Sequence, residues 1–255
     1  INGLDTHYMY RDVVDVVEQA GARLDLIMIP KVGTAADVYA LDMLVTQIET
    51  AKGYGKRIGF EHIIETALGM QNVHDIASAS KRNESLHFGV ADYAASTRAR
   101  TTIIGGVNPD YAVLTDPSQD GSRETHWGDM WHYPIAKMVV VARANGLRPI
   151  DGPFGDFSDP AACEAQFRNA FLMGCVGAWS LHPSQIDIAK RVFSPEPEEV
   201  AFARRILEAM PDGSGAVMLD GKMQDDATWK QAKVIVDLAT EVAARDPDLA
   251  DRYGL

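Results

Sequence analysis

The chain has 255 residues, 46% of them hydrophobic and 24% charged, which is enough for one large globular domain with a buried core. Its net charge is −12, and no cluster of Lys and Arg offsets it, which argues against a nucleic-acid partner. The longest apolar runs, such as 138–142, are too short to span a membrane. Cys163 and Cys175 fit neither a metal-ligand nor a redox spacing, so we expect reduced, buried thiols in a cytoplasmic protein.

Strand-like and helix-like segments alternate along most of the chain. The predicted strands are apolar runs, several of them ending at a proline or an acid, and they cover 24–31, 58–65, 86–92, 149–154 and 176–182. The predicted helices have apolar residues at helical spacing, and they cover 4–20, 35–51, 72–80, 131–145, 160–174 and 184–192. This alternation predicts an α/β fold, with a parallel sheet and helices outside it.

One long segment, 96–129, has no clear periodicity and is predicted to be a loop that carries function or is mobile. Aromatic residues beside it, including Trp127 and Trp131, are interpreted as core packing or a subunit contact.

The pattern changes after residue 193. A helix is predicted at 198–210, a hairpin around Asp220-Gly221, and a long helix at 226–244. This part does not continue the strand–helix repeat and is interpreted as a lid or an arm that reaches a neighbouring subunit. We therefore predict two regions, 1–193 and 194–255.

Two neighbouring predicted strands end on an acid, Glu65 in one case and Asp92 in the other. The carboxyl ends of parallel strands are where α/β enzymes place their chemistry. Two carboxylates there suit a hard divalent cation, Mg²⁺ before Mn²⁺, with water and substrate oxygens completing its ligands. The alternative is that each acid caps the helix after it, and spacing alone does not separate these possibilities.

Three other polar residues are candidates for the site. His182 follows the last predicted strand, where its ring could touch a ligand, although a lone His is more often structural or simply exposed. Asp225 and Asp226 lie between the hairpin and the long helix. One of them is expected to cap that helix, which leaves the other able to reach a metal site if the region moves.

Three ordered motifs are IETALGM at 64–70, GVADYAAS at 89–96 and DGPFGD at 151–156. Together they resemble the citrate lyase β-subunit-like family. Two more, AWSLHP at 178–183 and DGKMQDDA at 220–227, resemble the family's L-malyl-CoA/β-methylmalyl-CoA lyases more narrowly.

The resemblance implies a TIM (β/α)8 barrel with a C-terminal helical lid and hairpin, in homotrimers or homohexamers whose lid acts on a neighbouring subunit. Ile1 looks like the tail of a strand, so the barrel is expected to start at its third strand, with about 80 residues missing before it. The family also uses an Arg and several coenzyme A contacts that precede the position of Ile1.

The resemblance also assigns roles to residues of this chain. It makes Glu65 and Asp92 the Mg²⁺ ligands, and Asp225 the lid acid that works in the active site of an adjacent subunit. The positions that match the family's coenzyme A site are Ala91, Asp92, Leu181 and His182.

The reaction implied is the reversible cleavage of malyl-CoA to acetyl-CoA and glyoxylate, and of β-methylmalyl-CoA to propionyl-CoA and glyoxylate. Mg²⁺ would act as Lewis acid on the glyoxylate half, and Asp225 would exchange the proton at the thioester α-carbon. The alternatives are a malyl-CoA thioesterase, a citramalyl-CoA lyase, and a non-catalytic subunit that binds CoA esters.

Overall fold

The structure is a computed structural model that describes residues 1–255, apart from the side chain of Trp127, so the expectation for that residue lies outside the described part. The chain divides into two compact units, Ile1–Ala189 and Lys190–Leu255. The strand–helix repeat lies in the first unit. The predicted hairpin and the last helices lie in the second.

The first unit contains a parallel sheet. Its strands, in spatial order, are β1 (Leu26–Ile29), β2 (Gly59–Ile64), β3 (Asn83–Phe88) and β6 (Arg148–Ile150). Ile29 pairs with His62, and Ile64 pairs with Phe88, so the carboxyl ends of β1, β2 and β3 lie along one edge. The predicted α/β class with a parallel sheet is confirmed.

One predicted strand, 176–182, is wrong. This segment forms a single parallel bridge, between Asp151 and Ala178. Three main-chain hydrogen bonds tie it to the end of β6, from Val176 to Pro149, from Asp151 to Gly177 and from Trp179 to Asp151. Pairing stops there because β6 is short and is followed by Pro153, which has no N–H to donate.

Helices accompany the strands of the first unit. They are α1 (Met9–Ala20), α2 (Ala35–Lys52), α3 (Ala67–Gln71), α4 (Val73–Ser78), α5 (Val90–Thr97), α6 (His132–Ala144) and α7 (Pro160–Met173). A further helix, α8 (Ile186–Val192), includes the division after Ala189. The segment predicted as a loop contains a short antiparallel hairpin, β4 (Ala112–Leu114) with β5 (Thr125–Trp127). Trp131 is buried and packs against the rings of Phe88 and Tyr93.

A buried arginine joins α2 to the segments that precede β2 and β3. The Arg82 guanidinium is almost fully buried, with Nε 2.6 Å from Asp42 Oδ1 and Nη2 2.6 Å from Glu49 Oε2. Its Nη1 donates to the carbonyl of Ile58 at 2.9 Å. The charges are therefore paired and hydrogen-bonded, which a buried ion pair requires.

The second unit is formed by α9 (Pro197–Ala209), β7 (Val217–Leu219), β8 (Lys222–Gln224), α10 (Asp226–Ala243) and α11 (Pro247–Tyr253). Asp220 and Gly221 join β7 to β8 with positive φ angles of 50° and 75°, as a tight hairpin turn requires, so the predicted hairpin is confirmed. Val200, Ala239 and Tyr253 form part of its core. Among the described residues, no helix combines the length and the apolar character needed to cross a membrane.

Replacing Arg82 with Met should lower the free energy of unfolding by about 3–5 kcal/mol, because Asp42 and Glu49 would keep buried, unpaired charge. Arg148→Met is the matched control, since Arg148 pairs with Glu84 at 3.3 Å with both side chains half exposed, and its cost should be at most about 1 kcal/mol. Urea denaturation followed by circular dichroism measures both. Equal losses in the two variants would contradict a structural role for the Arg82 network.

Candidate active site

Glu65 lies at the carboxyl edge of the sheet, directly after β2, and is 7% exposed. Its Oε1 accepts a hydrogen bond of 2.8 Å from the main-chain N–H of Lys31, which follows β1. The carboxylate also packs on Gly89, after β3. A Cβ at residue 89 would lie 2.5 Å from both Cβ and Oε2 of Glu65, so the site requires glycine there.

Asp92 lies at the same edge, but on a helix instead of at the end of the predicted strand. β3 ends at Phe88, and Asp92 is the third residue of α5 rather than the last residue of a strand. Gly89 turns the chain between the two elements, and an acid in the first turn of a helix is stabilised by the helix dipole. Lys31 contacts both acids, because its main-chain N–H donates to Glu65 at 2.8 Å and its Nζ lies 3.6 Å from Asp92 Oδ1, so the two carboxylates belong to the same edge.

Neither acid caps the helix that follows it. The cap of α3 is Thr66, whose Oγ1 accepts from the N–H of Gly69 at 2.9 Å. The cap position of α5 is Gly89, which has no side chain to serve as an acceptor. The oxygens of Glu65 and Asp92 are therefore not used as helix caps, which removes the alternative left open by the sequence.

A third acid and a lysine complete this cluster, and sequence reasoning missed both. Lys31 Nζ lies 3.6 Å from Asp92 Oδ1 and 3.8 Å from Asp5 Oδ2. Burial, followed by the charges of Asp92 and Asp5, raises the pKa of Glu65 to about 7, against the lowering effect of the Lys31 N–H. A signal for Lys31 was present, since it ends the predicted strand 24–31 at the same edge as Glu65.

The residues present fit a hard divalent cation. Among the described side chains, no group of three or more His, Cys, Asp or Glu is arranged to hold a metal ion. A site based on Glu65 and Asp92 would therefore depend on water or substrate oxygens for its other ligands, as Mg²⁺ sites commonly do. Glu65 is 7% exposed, and the Lys31 ammonium lies beside Asp92 and Asp5, so a further cation would offset the burial of the Glu65 charge.

The residues matched to the coenzyme A site fall in two places. Ala91 is exposed and precedes Asp92 in the first turn of α5. Leu181 and His182 belong to a separate, exposed turn. There the Nδ1 of His182 accepts from the N–H of Ser184 at 3.2 Å, and its ring stacks on Phe157 with a centroid distance of 4.8 Å. The structure therefore gives His182 a local capping role.

Asp225 lies in the second unit, where it caps α10. Its Oδ1 accepts from the N–H of Thr228 at 3.1 Å, and its own N–H donates to Thr228 Oγ1 at 2.7 Å. Asp226 forms an ion pair of 2.7 Å with Lys230 on the surface of the same helix. Of the two neighbouring acids, Asp225 is therefore the one that serves as the cap.

A cavity of about 810 Å³ lies beside the ends of β3 and β6. Phe88, Trp131 and Phe154 provide apolar walls, and Asp151 contributes a carboxylate that is 1% exposed. Gln166 Nε2 donates to Asp151 Oδ2 at 2.9 Å. Burial raises the pKa of Asp151 to about 6, against the lowering effect of that hydrogen bond.

Asp151 should make the protein less stable as pH rises from about 4 to about 6, because the unfolded chain ionises this group first. Asp151→Asn removes the titrating group. The decrease in unfolding free energy over this pH range should therefore be smaller in the variant than in the wild type, by up to roughly 3 kcal/mol. Urea denaturation between pH 4 and pH 7 measures the difference. Asp116→Asn, which changes an exposed acid outside the cavity, is the control. A pH dependence of unfolding free energy in Asp151→Asn equal to that of the wild type would contradict the assignment.

Residues 1–183 match the family model described as HpcH/HpaI aldolase/citrate lyase, and the chain belongs to that family. It is 55% identical over 256 residues to the malyl-CoA/β-methylmalyl-CoA/citramalyl-CoA lyase of Chloroflexus aurantiacus, covering 100% of this chain and 74% of that protein. It is 50% identical over 248 residues to an L-malyl-CoA/β-methylmalyl-CoA lyase of Cereibacter sphaeroides, covering 96% of this chain and 76% of that protein.

A solved structure shares the fold. The protein CitE from Mycobacterium tuberculosis, in complex with magnesium, acetoacetate and coenzyme A, superposes with a TM-score of 0.68 at 23% identity. The match covers 94% of this chain and 76% of that chain.

Proposed function

We propose that the chain is a Mg²⁺-dependent carbon–carbon lyase. It reversibly cleaves (S)-malyl-CoA to acetyl-CoA and glyoxylate, and β-methylmalyl-CoA to propionyl-CoA and glyoxylate. The names of two relatives that are 50–55% identical, over 96–100% of this chain, support these substrates. The observation that carries the proposal is the pair of carboxylates, Glu65 and Asp92, at one sheet edge, neither of them used as a helix cap.

Glu65 and Asp92 are the residues that would hold the ion. Their oxygen chemistry suits Mg²⁺, and Mn²⁺ is a possible substitute with similar ligand preferences. The magnesium in the CitE complex supports this choice. When bound, the ion supplies Lewis acidity to substrate oxygens on which charge develops. The N–H of Lys31 holds Glu65 in place for this role.

Asp225 is proposed as the acid–base group. In cleavage the substrate hydroxyl loses its proton to solvent and becomes the aldehyde of glyoxylate, while the electron pair of the broken carbon–carbon bond passes to the thioester α-carbon. Asp225, in its acid form, protonates that carbon and is left as a carboxylate. In condensation Asp225 removes the same proton. We place it in the active site of a neighbouring subunit, in a homotrimer or homohexamer.

The remaining features of the proposal follow the family pattern. The parallel sheet is part of a TIM barrel in region 1–193, and region 194–255 is a lid. The coenzyme A contacts are Ala91, Asp92, Leu181 and His182. The free, buried thiols of Cys163 and Cys175 support a cytoplasmic location.

A single assay tests the reaction type. Purified protein with malyl-CoA and Mg²⁺ should release equal amounts of acetyl-CoA and glyoxylate, the latter detected as its phenylhydrazone, and EDTA should stop the release. Free malate and CoA without glyoxylate would show thioester hydrolysis and reject the lyase. Parallel assays with β-methylmalyl-CoA and citramalyl-CoA determine the preferred acyl group.

Replacing Asp225 with Asn should lower turnover by about 10²-fold to 10⁴-fold, the range for losing a general acid–base group. Asn is also a good helix cap, so α10 should remain folded. Mg²⁺ binding, measured by isothermal titration calorimetry, should stay unchanged. Asp226→Asn is the control and should keep wild-type turnover, whereas full activity of Asp225→Asn would remove Asp225 from the mechanism.

Mg²⁺ binding should weaken below pH 7, because the pKa of Glu65 is raised to about 7 and its protonated form cannot serve as a ligand. The dissociation constant should rise about tenfold for each pH unit below that value. Calorimetric titrations at pH 6, 7 and 8 measure it. Glu65→Gln should bind weakly at every pH, while Glu84→Gln, a surface change, should behave as wild type. Tight, pH-independent binding by Glu65→Gln would exclude Glu65 as a ligand.

A further inference from the structure

We propose that Lys31 is a positioning residue that makes the divalent ion and the α-oxo acid bind cooperatively. Its ammonium group opposes binding of the ion alone and supports binding of the ion together with a carboxylate ligand such as glyoxylate. This inference rests on the proposed function, because it takes Glu65 and Asp92 as the residues that hold the ion.

The backbone of Lys31 is the first observation. Its φ angle is +54°, a left-handed conformation that costs energy for any residue with a side chain and is normally given to glycine. This conformation accompanies the N–H donated to Glu65. The chain retains a long charged side chain at a position where glycine would be less strained, and strain of this kind concentrates at functional sites.

The side chain is the second observation. Lys31 Nζ lies 3.6 Å from Asp92 Oδ1 and 3.8 Å from Asp5 Oδ2, longer than a direct hydrogen bond to either oxygen. The ammonium therefore interacts with both acids mainly through charge. With the side chain 40% exposed, these contacts are weak enough to break when a ligand arrives.

The sign of each effect follows from charge. A divalent ion on Glu65 and Asp92 would repel the Lys31 ammonium and compete with it for Asp92. The charge of Lys31 therefore weakens binding of the ion alone. A bound α-oxo acid brings a carboxylate, which gives the ammonium a new partner. The ion and the acid therefore each improve binding of the other, and linkage requires the two improvements to be equal.

The proposal is tested by calorimetric titration of Mg²⁺ and glyoxylate in the absence of any acyl-CoA, so that binding is measured without turnover. In the wild-type protein, glyoxylate should tighten Mg²⁺ binding by about fivefold or more. Lys31→Met keeps the length and the backbone strain of the residue but removes the charge. It should bind Mg²⁺ alone more tightly and bind glyoxylate to the Mg²⁺-loaded protein about tenfold more weakly. The factor by which glyoxylate tightens Mg²⁺ binding should therefore fall below its wild-type value.

Two control variants distinguish charge from structure. Lys31→Arg keeps the charge and should retain the coupling. Lys52→Met removes a lysine that is also 40% exposed and lies 3.8 Å from its partner Glu18, and it should behave as wild type.

The possible outcomes separate the two proposals. If Lys31→Met weakens the binding of Mg²⁺ and the binding of glyoxylate alike, or changes neither, Lys31 has only a structural role and the inference is overturned. A wild-type protein without coupling overturns it too, whether or not the variant folds. If Glu65→Gln binds Mg²⁺ as wild type does, the ion is held elsewhere, and the proposed site fails together with the role of Lys31.

Discussion

The packing of the Glu65 carboxylate on Gly89 is the constraint on which the site depends. It places a nearly buried acid at the sheet edge, where desolvation disfavours its charged form. The hydrogen bond from the Lys31 main chain fixes the other side of the same carboxylate. The segments that follow β1, β2 and β3 are thereby held together at one group. Asp92 and the Lys31 ammonium are positioned relative to that group.

The features that the sequence predicted well have local causes. The parallel sheet follows from apolar runs that alternate with helical periodicity. The hairpin at Asp220 and Gly221 follows from two residues that tolerate positive φ. The position of Glu65 at the end of a strand could be predicted because two β-branched residues, Ile63 and Ile64, directly precede it.

The features that the sequence did not predict depend on contacts between distant segments. Arg82 is buried because Asp42 and Glu49, more than 30 residues earlier, bring their carboxylates to it. The segment 176–182 has a strand-like composition, but its partner β6 is too short to pair with it. The apolar run 86–92 predicts a strand that ends at Asp92, but Gly89 turns the chain, so that Asp92 lies in α5. Lys31 and Asp92 meet only when β1, β2 and β3 are aligned, and Asp5 joins them from the segment before α1.

Glu65 and Thr66, the two residues that follow β2, have separate roles. Thr66 stabilises the first turn of α3, while Glu65 contributes its carboxylate to the sheet edge. Because α3 is not capped by Glu65, the stability of the helix and the chemistry at the sheet edge can change independently, through substitutions at two adjacent positions. A better helix cap at residue 66 can therefore raise the melting temperature while the carboxylate of Glu65 is kept.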